Sequence, residues 1–134
     1  MCLITPGPLN KATEDIVCYK VLCKCYHING ETTLHSPYFR YEPWKVGEVA
    51  TPVSKADYDG TKYARVGAGF LHSFKSVKDA FDLANIKLFR EVACVYKCVI
   101  PKGTQYYQGF DDSNCFGYAS KVLKPIEKLS STYK

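Results

Sequence analysis

Residues 67–90 read Gly-Ala-Gly-Phe-Leu-His-Ser-Phe-Lys-Ser-Val-Lys-Asp-Ala-Phe-Asp-Leu-Ala-Asn-Ile-Lys-Leu-Phe-Arg, and the second half of this stretch decides the fold. Its apolar positions recur with the spacing of one helix face, at Val77, Ala80, Phe81, Ala84 and Leu88. Ser76 stands where an N-cap is expected, and Asp79 places negative charge in the first turn. We therefore predict the principal helix of the protein over about residues 76–90.

The length and charge of the chain limit the classes of protein to which it can belong. A chain of 134 residues fits one domain, whose core needs neither a metal nor a disulfide to be stable. Its 18 basic and 13 acidic residues leave a net charge of +5, which favours an anionic partner. The basic residues are scattered rather than clustered, so nucleic acid is not the expected partner.

Cysteine usage and apolar patterning predict a cytoplasmic protein. The seven cysteines are an odd number, which argues against a complete disulfide framework. No apolar run approaches the length of a membrane span, and the start of the chain does not resemble an export signal. We therefore expect reduced thiols, a cytoplasmic location and no membrane partner.

Two segments show the alternation of long strands, and a hairpin signal follows the first of them. Residues 16–26 alternate between two faces, and Asn29-Gly30 is typical of a tight hairpin turn. Residues 32–41 are the expected return strand. Residues 91–100 are apolar on nearly every position, which predicts a strand covered on both sides.

Shorter elements complete the expected fold. Further strands are predicted over residues 45–50, 62–66, 69–74, 104–107 and 121–127, with loops over residues 51–61 and 108–114. Ile100-Pro101-Lys102-Gly103 predicts a type I turn. Residues 1–12 contain two prolines and are expected to form an extended arm. The sequence thus predicts a single α+β domain over residues 13–134, in which a twisted, mostly antiparallel sheet packs against the principal helix.

Several short motifs look familiar as a set. They are Met-Cys-Leu-Ile-Thr at 1–5, Cys-Tyr-Lys-Val-Leu at 18–22, Leu-His-Ser-Pro-Tyr at 34–38, the segment 69–74, Val-Ile-Pro-Lys-Gly-Thr-Gln-Tyr-Tyr at 99–107 and Tyr-Ala-Ser at 118–120. With this set the chain resembles small uncharacterised proteins of gut Bacteroidetes and their phages, and it is distantly similar to a phage domain of unknown function. The resemblance implies a phage or mobile-element context, and hence the host cytoplasm for a phage-encoded protein, but no reaction.

The cysteines and acidic residues do not form a recognisable metal-binding motif. Zinc-ligand spacing is absent, and we expect buried core thiols at Cys18, Cys23, Cys25, Cys94 and Cys98. Asp111 and Asp112 are expected to bond backbone donors within their own turn. We predict neither a metal nor a cofactor.

Two catalytic arrangements remain open. His72 could act with Cys94 or Cys98 as a nucleophile pair if the fold brings them together. An ADP-ribosyltransferase-like arrangement would use Arg40, Ser73 and Glu127, by analogy of fold alone.

Aromatic and basic residues alternate in three segments. These are Tyr38-Phe39-Arg40-Tyr41 with Trp44-Lys45, then Lys62-Tyr63-Ala64-Arg65, and Lys102 with Tyr106-Tyr107. Aromatic faces stack on planar rings, and basic side chains receive phosphates. The alternative is that the tyrosines mainly cover the sheet. The candidate ligand-binding residues are Arg40, Trp44, Lys62, Arg65, Tyr106 and Tyr107.

Together with the phage context that the resemblance implies, the aromatic–basic segments and the lack of a catalytic motif predict a non-enzymatic protein that captures a small anionic ligand. This ligand would be a nucleotide-derived immune signal, and its capture would act against host defence. Cyclic nucleotides and ADP-ribose derivatives are the expected ligands. One alternative is an inhibitor or adaptor that binds a host protein through its exposed aromatic residues. Another is a small nucleotide-processing enzyme with His72 or Glu127 as its chemical group. A symmetric homo-oligomer would be compatible with ligand capture.

Overall fold

A computed structural model describes residues 3–4, 6–37, 43–52, 69–86 and 91–130, apart from the side chain of Ser130. Within these residues, eight strands form one antiparallel sheet, and one helix packs against it. The elements are β1 (Asn10–Lys11), β2 (Ile16–Tyr26), β3 (Thr32–His35), β4 (Leu71–Phe74), α1 (Val77–Ala84), β5 (Ala93–Ile100), β6 (Gln105–Phe110), β7 (Phe116–Ser120) and β8 (Lys124–Ser130). The predicted α+β fold is confirmed.

The long strand β2 organises the sheet. The strand order is β1-β6-β7-β4-β2-β5-β8, and β3 pairs with the second half of β2. The predicted bounds of β2 are confirmed, as is the hairpin after it, in which Gly30 has a φ of +86°. Eight residue pairs join β2 to β5, from Ile16 opposite Ile100 to Cys23 opposite Ala93. The segment predicted as a strand covered on both sides therefore lies inside the sheet, between β2 and β8.

The sheet has an apolar cluster on each face. On the helix side, Ala80 and Ala84 of α1 pack over residues from β2, β4 and β5: Val21, Cys23, Phe74, Ala93 and Val95. The opposite side buries Cys18, Leu22, Trp44, Cys94, Tyr96, Cys98, Ile100, Tyr118 and Leu123, together with Ala12. The prediction of buried thiols is confirmed for Cys18, Cys23, Cys94 and Cys98, whereas Cys25 is half-buried.

The helix is shorter in the structure than in the sequence-based prediction. It begins at Val77, after Ser76 in extended backbone conformation, and ends at Ala84. The Ser76 side chain makes no capping hydrogen bond, so only its position as N-cap is confirmed. The predicted last turn falls on residues 87–90, which lie outside the described residues.

Several predicted strands differ from the observed ones because tertiary pairing overrides the local pattern. β4 begins at Leu71 and not at residue 69, and β8 spans Lys124–Ser130 and not residues 121–127. β6 continues to Phe110, where a loop was expected, because Gln108 to Phe110 pair with β7 along their whole length. Residues 45–50 form a turn instead of a strand. Gly47 has a φ of +86° there, and its N–H donates to the Pro125 carbonyl at 2.7 Å. The expected elements between residues 53 and 68 lie outside the described residues.

The N-terminal segment is extended and packs on the sheet. Leu3 is fully buried and forms an isolated bridge with Asp111. β1 then pairs with β6, with Asn10 opposite Tyr106 and Lys11 opposite Gln105. This pairing carries Lys11 onto the far end of the sheet, where the candidate site lies.

Candidate anion-binding site

A row of side chains crosses the end of the sheet on the helix side. Lys11 of β1 is paired with Gln105 of β6. Directly beyond β7, the Lys121 N–H donates to the Gln105 carbonyl at 3.1 Å, which extends the β6–β7 register by one residue. Residues directly opposite in an antiparallel pair point to the same face. Lys11, Gln105 and Lys121 therefore stand side by side.

The turn before β6 brings a third lysine to this row. The Thr104 N–H donates to the Pro101 carbonyl at 3.1 Å, and Gly103 between them has a φ of +90°. The turn thus begins one residue later than predicted, with Gly at the position that requires positive φ in a type II turn. The Lys102 N–H donates to the Asp15 carboxylate at 2.8 Å, which fixes the corner of the turn.

These residues line an open surface cleft of about 460 Å³, which we call the lysine cleft. Its lining residues are Lys11, Lys102, Gly103, Thr104, Gln105, Lys121 and Val122. Among the lining residues that the structure describes, three carry a positive charge and none carries a negative one. Lys11 and Lys102 are exposed, so their ammonium groups can move towards a ligand. A cleft of one charge sign attracts and holds counter-ions.

Lys121 joins the lysine cleft to an aromatic pair. Its ammonium lies 4.1 Å from the centroid of the Phe70 ring and donates to the Gly69 carbonyl at 3.1 Å. Phe70 in turn meets Tyr107 edge to face, with ring centroids 5.5 Å apart. Both rings are half-buried and pack on Leu3 and Ala119. Basic and aromatic groups thus adjoin each other at this end of the sheet.

The structure brings one predicted contact residue, Tyr107, next to this cleft. Tyr106 points to the opposite face and meets Tyr118 edge to face at 5.9 Å. Trp44 is buried rather than presented to solvent. The other three predicted contacts, Arg40, Lys62 and Arg65, lie outside the described residues.

Sequence reasoning missed Lys11 and Lys121 as site residues. Lys102 belonged to one of the aromatic–basic segments that the sequence indicated. The other two lysines come from segments far away in the chain, and only the strand register places them beside it.

A buried lysine, Lys20, lies on the other face of the sheet. Lys20 of β2 is 8% exposed, and its ammonium donates to the His72 carbonyl at 2.7 Å. The same ammonium faces the ring of Trp44, 5.3 Å from the centroid. Among the described residues no carboxylate pairs with it. Burial lowers the pKa of the Lys20 ammonium to about 8, against an opposite effect of the Cys98, Cys18 and Cys23 thiols.

The structure does not assemble the proposed Cys–His pair. His72 is on the helix side of β4, two residues from Phe74, which belongs to the apolar cluster on that side. Cys94 and Cys98 belong to the cluster on the opposite side. Since alternate residues of a strand point to opposite faces, the sheet itself separates the imidazole from both thiols.

The residues of the ADP-ribosyltransferase-like arrangement are likewise not brought together. Ser73 is fully buried in β4, and Glu127 is exposed on β8. Two strands, β2 and β5, lie between them. Arg40 lies outside the described residues.

The Asp111 carboxylate lies in the turn between β6 and β7 and bonds backbone N–H groups there. Asp111 accepts hydrogen bonds from the N–H groups of Ser113 and Cys115, both at 2.9 Å, so its predicted role in the turn is confirmed. In the described part of the chain, no group of three or more His, Cys, Asp or Glu side chains could hold a metal ion. The same part contains no helix that is long and apolar enough to cross a membrane.

Comparison with known proteins assigns the chain to no group: no protein-family model matches it, and neither a curated protein nor a solved structure is significantly similar to it.

Proposed function

We propose that the protein captures a small anionic ligand in the lysine cleft, and that this ligand is a nucleotide-derived immune signal. The supporting observation is that Lys11, Lys102 and Lys121 converge on a cleft with no acidic side chain among its described lining residues. Charge-assisted hydrogen bonds from ammonium groups to phosphate oxygens are stronger than neutral ones. In the phage context that the resemblance implies, capture would withdraw the signal from the host and act against its defence.

The composition of the cleft supports capture rather than turnover. In the described part of the chain, its lining residues include no His, Cys, Asp or Glu, which are common general acids, bases and nucleophiles. Its volume of about 460 Å³ lies within the range of roughly 300–1,000 Å³ typical of small-ligand sites. Binding without chemistry is therefore the function that this site supports best.

Thermal unfolding against a ligand panel tests the proposal. The panel comprises cyclic dinucleotides, ADP-ribose derivatives and ordinary nucleotides, measured at low ionic strength because salt screens exposed charges. A ligand at a hundred times its dissociation constant adds about 2.7 kcal/mol to the free energy of unfolding. We expect one class of ligand to raise the midpoint by several degrees, and mass spectrometry to recover that ligand unchanged.

Removing two lysines should abolish this rise. The double variant Lys11→Ala/Lys102→Ala deletes two exposed ammonium groups of the cleft, and we expect its affinity for the selected ligand to fall about tenfold per lysine, measured by calorimetry. The matched control is Lys45→Ala/Lys128→Ala, which removes two exposed lysines elsewhere. Equal losses in both variants would show that net charge alone attracts the ligand, and would contradict the site. A panel without any selective rise would contradict ligand capture and favour a host protein as the partner.

A further inference from the structure

We infer that the ligand of the lysine cleft carries a planar ring beside its anionic group, and that this ring stacks on Phe70 once Lys121 has moved onto the anion. The inference rests on the proposed function, because it assigns a second subsite to the same ligand. Phe70 is not a lining residue of the cleft itself. It is reached through Lys121, which belongs to the cleft and also touches the Phe70 ring.

The register of the strands places the aromatic ring next to the row of lysines. Leu71 of β4 is paired with Ser120 of β7, so Phe70 stands opposite Lys121. The row across the sheet is therefore Lys11, Gln105, Lys121 and Phe70. Neighbouring strands in a sheet are roughly 4.8 Å apart, so a ligand of nucleotide size spans the distance from the lysines to the ring.

Packing fixes the position of the Phe70 ring. Tyr107 meets it edge to face at an interplanar angle of 70°, and Leu3 and Ala119 lie buried beneath the two rings. Phe70 itself remains half-buried. A ring that is held from below and from one edge offers a preorganised stacking surface, and preorganisation reduces the cost of binding.

The group that now occupies this surface is held by weak contacts. The Lys121 ammonium makes a cation–π contact with Phe70 and donates to the Gly69 carbonyl at 3.1 Å, and no described carboxylate pairs with it. A phosphate in the cleft offers a charge-assisted hydrogen bond, which is the stronger partner. Moving the ammonium onto the phosphate therefore uncovers Phe70 at the moment when the ligand's ring is close enough to stack.

The test compares two ligands that share a sugar phosphate and differ by one ring: AMP and ribose 5-phosphate. Base–aromatic stacking gives about a 5- to 150-fold gain in affinity. We expect the wild-type protein to bind AMP more tightly than ribose 5-phosphate by a factor in this range, measured by calorimetry. The adenine protons of bound AMP should also shift upfield in the proton NMR spectrum, as they do above an aromatic face.

Two variants separate the subsites. Phe70→Leu keeps apolar contact with Leu3 and Ala119 but removes the stacking face, so the variant should bind AMP and ribose 5-phosphate with equal affinity. Its affinity for ribose 5-phosphate should not fall, because Lys121 then has no ring to leave. Lys121→Met should weaken both ligands. Equal binding of the two ligands by the wild-type protein would overturn the stacking inference while leaving anion capture intact. If neither ligand binds, both the capture and the stacking subsite are contradicted for nucleotides.

Discussion

Replacing Gly117 with alanine is expected to lower the free energy of unfolding by about 3 kcal/mol, near the upper end of the usual cost of overpacking. Gly117 lies within β7, where it pairs with Phe74 of β4 and Gly109 of β6. A Cβ atom at this position would stand 2.5 Å from the carbonyl oxygen of Ser73. Because the opposing atom belongs to the backbone of an internal strand, the clash can be relieved only by separating β4 from β7.

A thermal unfolding curve checks this expectation. For a domain of this size, about 3 kcal/mol corresponds to a fall in the midpoint of roughly 10 °C. Gly7→Ala is the matched control, because the nearest atom to its added Cβ would be the Gln108 carbonyl oxygen at 3.8 Å, an ordinary contact. It should remain within about 0.5 kcal/mol of the wild type. A Gly117→Ala protein as stable as the control would show that β4 and β7 are not packed this closely.

The elements that the sequence predicted well are those whose signal is local. Alternation over residues 16–26 predicts β2 with its observed bounds, and Asn29-Gly30 predicts the hairpin that follows. The apolar stripe predicts the start of α1. The end of β6 was missed because Gln108 reads as a polar loop residue, and only its pairing with Tyr118 makes it part of a strand.

The candidate site depends on register, which a single sequence does not show. Lys11 and Lys121 are 110 positions apart in the chain, yet both stand beside Gln105. Trp44 illustrates the opposite error, because an aromatic residue next to a lysine reads as an exposed contact and in fact fills the core. The sequence does indicate that Lys20 is unusual. It is a charged residue between Cys18 and Leu22, on a strand face that is otherwise apolar at its centre, and this position predicts a buried ammonium group.

Replacing Lys20 with methionine is expected to stabilise the protein at pH 7 by about 1 kcal/mol. Burial lowers the pKa of the Lys20 ammonium from 10.5 to about 8, so keeping it charged at pH 7 costs about 3 kcal/mol relative to the unfolded chain. Methionine has a similar shape and carries no charge. The gain is reduced by the loss of the charge-assisted bond to the His72 carbonyl, worth about 1.5 kcal/mol, and of the cation–π contact with Trp44, worth about 0.5 kcal/mol.

The pH dependence of unfolding distinguishes the removal of this charge from a simple improvement in packing. Between about pH 8 and 10.5 the unfolded chain holds the Lys20 proton and the folded protein has released it, so wild-type stability rises with pH as this proton leaves. Two buried thiols near Lys20, those of Cys18 and Cys98, instead make the stability fall as the pH rises. Burial raises the pKa of Cys18 to about 11 and of Cys98 to about 12, so above pH 9 the folded protein keeps thiol protons that the unfolded chain loses.

Two tyrosines on the same face of the sheet change the stability with pH in the same direction as the thiols. Burial also raises the pKa of Tyr96 and of Tyr118. Wild-type stability should therefore pass through a maximum near pH 9, rising below it because of Lys20 and falling above it because of the thiols and phenols. The Lys20→Met protein should lack the rise and keep the fall. Urea unfolding at intervals between pH 7 and 10.5 measures both the rise and the fall of the free energy of unfolding.

The fluorescence of Trp44 gives an independent measurement of the protonation state of Lys20. It is the sole tryptophan of the chain, and its ring lies 5.3 Å from the Lys20 ammonium. Loss of that charge alters the field at the indole, so the wild-type emission should titrate with a midpoint near pH 8 while the protein stays folded. Lys20→Met should abolish this titration. A Lys20→Met protein that is less stable than the wild type at pH 7 would show the reverse balance, in which the carbonyl and the indole ring together compensate a buried ammonium for its lost water.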